Sequence, residues 1–547
     1  MAITDLSLAS DAGLATAAAP KVLICDPIAP DGIRLLRDYA AVDVRTSLTP
    51  EQLAQAVGGY EGLIVRSQTR VTADVIEAAT RLRVVGRAGV GVDNIDVDAA
   101  TRKGIVVVNA PTAVNVAAAE HALGLMLALA RHIPQADASL RAGRWERGQF
   151  VGVELRGKTL GIVGLGNVGS ELARRAEALE MRMLAADPFV SEEYARRLGV
   201  SLVSLETVLH EADFISFHVP LTPLTKGLIG ERELAAVKPG VRLINCARGG
   251  IIDERSLLQA LDSGRVAGAA LDVFAQEPPF ASPLASHPRV VATPHLGAST
   301  EEAQIGAAIE VAQQVVAVLQ GQPARYAVNV PSIRPETLAS LAPYLRLAEK
   351  LGHLLAQLGT GPVSRLEISY SGEIASFDTT PLKAAVVNGL LREASPERVN
   401  LVNALLVARN RGLHVVEQKS EEPSDNYTNL IALRIDGAGS FIRKVAGTVI
   451  NGDPHVVRVD EYRVDVVPTG TYLLFCHHTD EPGVIGRIGM LLGNHDVNIS
   501  FMQVGRLRRR GEAMMVLGLD EPISEDDELF RRILEEGSIR AARLVRL

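Results

Sequence analysis

The stretch from Thr159 to Asp187 narrows the possible folds more than any other part of the chain. Thr159–Val163 is an apolar run of strand length, Gly164-Leu-Gly166-Asn-Val-Gly169 follows it, Ser170–Leu179 has helical periodicity, and Met181–Ala186 is a second strand-like run ending on Asp187. A strand, a three-glycine turn, a helix and a second strand with an acid at its tip make a unit suited to a dinucleotide. Gly164 permits the tight turn, Gly166 lets a pyrophosphate approach the backbone, and Gly169 lets the helix pack on the strand, while the helix start offers free N–H groups to phosphates. Asp187, about twenty residues beyond Gly166, is placed to accept from ribose hydroxyls. Its charge repels a 2′-phosphate and Asp187-Pro188-Phe189 sets no cation beside it, so NAD is expected rather than NADP.

The rest of the front half repeats the same alternation. From Lys21 to Pro111, apolar runs (Val22–Cys25, Leu63–Val65, Val84–Val85, Ile105–Val108) alternate with helical patterns such as Asp31–Tyr39 and Ala73–Ala79, the signature of βα units on a parallel sheet. Ala117–Arg141 reads as one long helix stopped at Gly143. After Asp187, strands are expected at Phe214–His218, Val241–Cys246, Val266–Leu271 and Val290–Thr293, then a helix over Thr300–Leu319 and an extended Tyr326–Val330.

This order predicts α/β architecture: a Rossmann-type doubly wound domain (116–304) inserted in a flavodoxin-like one (21–115 and 305–330), whose sheet the returning segment completes. Residues 1–20 read as a loose tail. Beyond Pro331 and Pro335 the pattern becomes α+β (331–470), with helices near 337–358, 380–394 and 401–411 and strands near 363–371, 413–418, 429–435 and 455–467. Residues 471–547 read βαββαβ, a ferredoxin-like order.

Charge and cysteine content narrow the partners. With 56 Lys plus Arg against 64 Asp plus Glu, the net charge of −8 argues against coating nucleic acid or an anionic membrane surface. The apolar run Ala117–Ala130 is interrupted by Glu120 and His121 and is too short to span a bilayer, and residues before Lys21 carry no cation of the kind that opens a targeting signal. Cys25, Cys246 and Cys476 are scattered, which fits neither a disulfide framework nor a thiolate metal site, and a reducing cytoplasmic setting is expected. No metal is expected, since adjacent Cys476-His477-His478 on a strand point to opposite faces.

Ligands of open α/β sheets gather at the carboxyl ends of the strands. Arg248 in Asn-Cys-Ala-Arg-Gly-Gly, Glu277 in Val-Phe-Ala-Gln-Glu-Pro-Pro and His295 in Thr-Pro-His-Leu-Gly-Ala-Ser-Thr all fall just after expected strand ends. Oxidation of a 2-hydroxy acid needs a base for the hydroxyl proton, a cation for the carboxylate and a nicotinamide for the hydride. His295 suits the first role, Arg248 the second with its bidentate fork, and Glu277 can orient the imidazole and favour its protonated form.

These segments, with Val-Gly-Arg-Ala-Gly-Val-Gly-Val-Asp-Asn-Ile-Asp (85–96), resemble the D-isomer-specific 2-hydroxy acid dehydrogenase family over about 21–330. The resemblance places the family's catalytic Arg, Glu and His on Arg248, Glu277 and His295. It implies NAD contacts from Asn167, Val168, Asp187, Val219, Cys246, Ala247, Arg248, Asp272 and the turn His295, Gly297, Ala298, with Val90 and Val219 lacking the hydroxyl some relatives carry. It implies substrate contacts from Arg66, Ser67, Arg87 and Asn115, and a dimer through the cofactor domains with Arg141–Phe150 and Trp145 reaching across; a plain core role for Trp145 is the alternative.

The C-terminal Asp480-Glu-Pro-Gly-Val-Ile-Gly with Val497-Asn-Ile resembles an ACT domain. That likeness implies an amino-acid effector, L-serine, held by His478, Asp480 and Asn498. The segment 331–470 is similar to the intervening domain of the family's long form. Together these features imply oxidation of 3-phosphoglycerate to 3-phosphooxypyruvate by a homodimer or homotetramer. Two other readings share the scaffold: a glyoxylate or hydroxypyruvate reductase, and a non-enzymatic NAD(H)-sensing protein like the C-terminal binding protein corepressors.

Overall fold

The computed structural model describes residues 19–330, 335–359, 363–392, 394–395, 399–437, 442–468, 472–525 and 527–547. The expected loose tail, through residue 18, and Pro331 at the expected boundary lie outside them.

The first sheet is wholly parallel: β1 (Lys21–Ile24), β2 (Ala41–Val44), β3 (Gly62–Val65), β4 (Val84–Arg87) and β5 (Val106–Asn109) in the order β2-β1-β3-β4-β5. The inner strands are covered on both faces, which is why they read as unbroken apolar runs. β2 lies at the edge and is largely exposed, and its mixed Ala-Val-Asp-Val sequence gave no strand signal. The helix Glu301–Leu319, capped by the Thr300 hydroxyl, returns to this sheet. A Cβ on Gly86 would sit 2.7 Å from Val311 and 2.8 Å from Val315, so the glycine admits the helix onto the strand. The returning segment joins the first sheet through this covering helix and a single antiparallel bridge, Val108 to Ala327.

The second sheet holds β6 (Thr159–Val163), β7 (Arg182–Ala186), β8 (Val200–Leu202), β9 (Phe214–Phe217), β10 (Val241–Asn245), β11 (Val266–Leu271) and β12 (Val290–Ala292), ordered β12-β11-β10-β9-β6-β7-β8. All its pairings are parallel, and the order reverses between β6 and β9, the position where such sheets bind ligands. The long helix expected over Ala117–Arg141 is instead two, Asn115–Arg131 and Ile133–Arg141, bent by 63° at His132, which adopts φ 56°. Pro134, in the first turn of the second helix, cannot continue the hydrogen-bond ladder of the first. Among the described residues no single helix is long and apolar enough to cross a membrane; this bent pair alone passes on length and composition.

The third sheet is mixed: β13 (Val363–Gly372), β14 (His414–Ser420), β15 (Asn429–Gly437), β16 (Ile442–Ile450), β17 (Asp453–Val459) and β18 (Tyr462–Val466). The single strand expected near 455–467 is in fact the hairpin β17–β18. It turns at Asp460 (φ 50°), whose carboxylate accepts from Arg443 and from the Lys444 N–H. The fourth sheet, β19 (Tyr472–Thr479), β20 (Ile499–Arg506), β21 (Glu512–Leu519) and β22 (Ile539–Arg546), is antiparallel in the order β20-β21-β19-β22, the ferredoxin-like arrangement.

Candidate active site

The glycine turn is as tight as its sequence requires. Gly164 has φ 94°, and a Cβ there would come within 2.6 Å of the His218 carbonyl oxygen and 2.8 Å of Val219, which joins β6 to the end of β9 at the switch point. A Cβ on Gly169 would meet the Gly164 oxygen at 2.1 Å, whereas Gly166 faces open space. This is the cradle a pyrophosphate needs: closed where helix meets strand, open where phosphate meets backbone. Asn167 and Val168 form the first turn of the helix Asn167–Glu177. Asp187 uses its carboxylate to order the rim, accepting from the N–H groups of Leu165 and Phe189, each at 2.8 Å.

Three neighbouring strands deliver the ionisable groups: Arg248 follows β10, Asp272 and Glu277 follow β11, and His295 follows β12. His295 Nδ1 lies 2.8 Å from Glu277 Oε2, and Glu277 Oε1 accepts from the Phe274 N–H at 3.2 Å. Burial opposes the Glu277 charge, but the His295 hydrogen bond and charge outweigh it and hold the carboxyl below the ordinary range. His295 adopts φ 58°, an uncommon conformation for a residue other than glycine. Asp272 holds it there: its carbonyl accepts from the His295 N–H at 2.9 Å, and its buried carboxylate accepts from Leu296 N–H (2.7 Å), Gly297 N–H (2.9 Å) and the Thr293 hydroxyl (2.7 Å). His121 Nε2, on the helix Asn115–Arg131, lies 3.1 Å from the same carboxylate.

Asp272, expected to touch cofactor, is thus first the organiser of the His295–Ala298 turn. In the sequence His121 stands only as a polar break in an apolar run; its signal is its place, a polar side chain on a helix packed against the sheet. Cys246 and Ala247 lie in the turn that Asn245 ties together, through Asn245 Nδ2 to the Arg248 carbonyl (2.9 Å) and Ala247 N–H to Asn245 Oδ1 (3.1 Å). Burial pushes the Cys246 thiol far up, so it stays protonated.

Arg248 is not in contact with the His295–Glu277 pair. Its Nε donates to Asp93 Oδ2 at 3.1 Å and its Nη1 to the Ala247 carbonyl at 2.7 Å. Asp93 belongs to the loop after β4, so the contact bridges the first and second sheets; the residue stood in plain view in the motif 85–96, without a partner to give it meaning. Arg87 ends β4 with its guanidinium against Gly89, and its buried Nε has no partner. Burial, then repulsion from Arg248 and Arg66, pushes the Arg87 guanidinium down to about 10. Arg66 donates its N–H to the buried Asp26 carboxylate at 2.5 Å, Ser67 is exposed beside it, and Asn115 is the first residue of its helix.

Residues 123–297 match the family model "D-isomer specific 2-hydroxyacid dehydrogenase, NAD binding domain", 340–460 the D-3-phosphoglycerate dehydrogenase intervening domain, and 471–535 the ACT domain. Over 528 residues, 96% of this chain and 95% of the relative, the sequence is 48% identical to D-3-phosphoglycerate dehydrogenase of Synechocystis sp.. Against the enzyme of the same name from Methanocaldococcus jannaschii it is 45% identical over 528 residues, 96% of this chain and all of the relative. The chain belongs to the D-3-phosphoglycerate dehydrogenase family. It is an NAD-dependent oxidoreductase of that family's long form. A solved glyoxylate reductase from Paecilomyes thermophila covers 58% of this chain and 99% of its own at 31% identity, with a TM-score of 0.53.

In the ACT unit of this D-3-phosphoglycerate dehydrogenase family member, the expected effector residues are each held by separate protein partners. His478, Asp480 and Asn498 make no hydrogen bonds to one another among the described residues. Asp480 accepts from the Arg510 N–H (3.0 Å) and Arg506 Nη1 (3.2 Å), which hold its carboxyl below the ordinary range. Asn498 Nδ2 donates to Asp520 at 2.6 Å. His478 is buried, its Nδ1 2.8 Å from the Thr479 carbonyl oxygen and its Nε2 without a partner. Trp145 is 77% exposed, which excludes the plain core role.

Proposed function

We propose that the chain oxidises 3-phospho-D-glycerate at C2 to 3-phosphooxypyruvate, the first step of phosphorylated L-serine biosynthesis. The contact of His295 with Glu277 at 2.8 Å carries the reading, because it gives a base that can take the C2 hydroxyl proton and a carboxylate that stabilises the resulting imidazolium. With Nδ1 facing Glu277, Nε2 is left for substrate. NAD, when bound, accepts the hydride from C2. The turn of Gly164, Gly166 and Gly169 with Asn167 and Val168 would hold its pyrophosphate, and Asp187 its ribose. Val219, Cys246, Ala247, Asp272, Gly297 and Ala298 would line the rest of the cofactor, with Arg248 and His295 between cofactor and substrate.

Arg248 would take the substrate carboxylate and polarise the 2-oxo group in the reverse reaction. Arg66, Ser67, Arg87 and Asn115 would bind the remainder of the substrate, and the mutual repulsion of three guanidiniums supports a polyanionic ligand over glyoxylate.

We divide the chain into a substrate domain (21–115 and 305–330), an NAD domain (116–304), an intervening domain (331–470) and an ACT domain (471–547). The exposed Trp145, Leu140 and Val151 support a homodimer, or a tetramer of such dimers, joined by the 141–150 arm. L-Serine feedback through the ACT domain requires an ammonium to displace Arg506 from Asp480, and a cytoplasmic location suits the enzyme. The test is loss of NADH absorbance with 3-phosphooxypyruvate, glyoxylate and hydroxypyruvate in parallel, then with serine added. Turnover of the phosphorylated acid alone is expected; turnover of the unphosphorylated acids alone would make the chain a general reductase.

A further inference from the structure

Two edges of the Arg248 guanidinium are engaged inside the protein and a third lies against backbone. Nε is taken by Asp93, Nη1 by the Ala247 carbonyl, and Nη2 lies so close over Gly91 that a Cβ there would stand 1.9 Å from it. The same hypothetical Cβ would stand 2.6 Å from Asp93 Oδ2, so the aspartate and the guanidinium share one shelf of backbone. A substrate carboxylate that takes the Nε side of the Arg248 fork has to displace Asp93, whose side chain is the more exposed of the two, 64% against 26%.

The other carboxylate among these arginines is not free to act in this way. Asp26 is 2% exposed and accepts from the N–H of Arg66, the N–H of Thr69 and the Thr69 hydroxyl. The Asp93 loop itself is well anchored, since the neighbouring Asn94 donates to the carbonyls of Arg66 (2.7 Å) and Thr69 (2.6 Å). Asp93 is therefore an exposed carboxylate on an anchored loop, paired with a guanidinium that follows β10 in the other sheet.

We propose that Asp93 is a displaceable counter-ion of Arg248: it holds the guanidinium in place and yields its position to the carboxylate of the substrate. This rests on the role given to Arg248 above. Asp93 is a positioning residue that also sets anion affinity, because binding exchanges one carboxylate for another at the same fork. Removing its charge while keeping an acceptor oxygen, as Asp93→Asn does, leaves Arg248 oriented but without a competitor. Affinity for any anion with the substrate's carboxylate or phosphate groups then rises.

The measurement is steady-state kinetics of the full-length protein, wild type, Asp93→Asn and Asp93→Ala, with 3-phosphooxypyruvate and NADH and with inorganic phosphate as competing anion. Asp93→Asn is expected to lower KM for the phosphorylated acid about tenfold and to lower the phosphate inhibition constant with it, corresponding to about 1.4 kcal/mol. Asp93→Ala, which also loses the acceptor, is expected to lower kcat, with Asn restoring most of it. A purely structural aspartate would lower the thermal midpoint in both variants without tightening anions. An unchanged or raised KM in Asp93→Asn, in a wild type that turns over the phosphorylated acid, overturns the inference; a wild type without that turnover overturns the functional reading instead. Should Asp93→Asn not fold, Asp93→Ser removes the same charge and is read the same way.

Discussion

His295 Nδ1 and Glu277 Oε2 stand 2.8 Å apart although they come from the ends of two different strands, and the backbone that presents His295 is held by a third residue, Asp272. The imidazole is oriented from both sides: a carboxylate on Nδ1 and a strained turn, φ 58°, fixed by hydrogen bonds to Asp272. A base set in this way needs little reorganisation when substrate arrives.

Glu277 is held below the ordinary carboxylate range, burial opposing its charge and His295 prevailing, so it is ionised at neutral pH. Its charge stabilises the imidazolium formed as the hydroxyl proton is taken. Glu277→Gln keeps an acceptor oxygen for Nδ1 but removes that charge, and should lower kcat about 10²-fold in both directions with NADH affinity little changed. Steady-state kinetics in both directions check this, and an unchanged kcat contradicts the pairing.

Asp187 is expected to discriminate against a 2′-phosphate and also to order the rim through Leu165 and Phe189. Asp187→Ala should weaken NAD several-fold and improve the NADP to NAD ratio of kcat/KM by about ten- to a hundredfold, the loss of one charge repulsion worth about 1.4–3 kcal/mol. Unchanged cofactor preference would remove Asp187 from that role.

Burial pushes His218, packed beside the glycine turn, down to about 4, and its Nε2 lies 2.8 Å from the Ser216 hydroxyl. The unfolded chain therefore binds a proton that the folded chain refuses between about pH 6.5 and 4. Stability should fall as pH drops through that window, by up to about 3 kcal/mol and less in proportion to the part of the ring that solvent reaches. The thermal midpoint measured from pH 7.5 to 5 is expected to decline more steeply in wild type than in His218→Gln; parallel curves would contradict it.

The dinucleotide turn was legible in the sequence because its demands are local. Gly164 and Gly169 are required by backbone atoms within a few residues or at one strand end. The inner strands were legible too, since burial on both faces leaves long apolar runs. What escaped depends on the third dimension. β2 is an exposed edge without such a run, and the helix break at His132 followed from Pro134, which the apolar run around it concealed. Asp93 and His121 acquire meaning through Arg248 and Asp272, 155 and 151 residues away. The ACT residues illustrate the converse: sequence placed Asp480 and Asn498 in a family motif, but their present partners, Arg506 and Asp520, come from strand pairing.

The most direct test of the account is His295→Ala measured for two quantities in one preparation: NADH binding by fluorescence titration, and turnover of 3-phosphooxypyruvate. The account requires NADH affinity within a few-fold of wild type, because the pyrophosphate cradle is untouched, and a fall in kcat of about 10²–10⁴, the usual worth of a positioned acid or base. Turnover retained at the wild-type rate with NADH bound would contradict it.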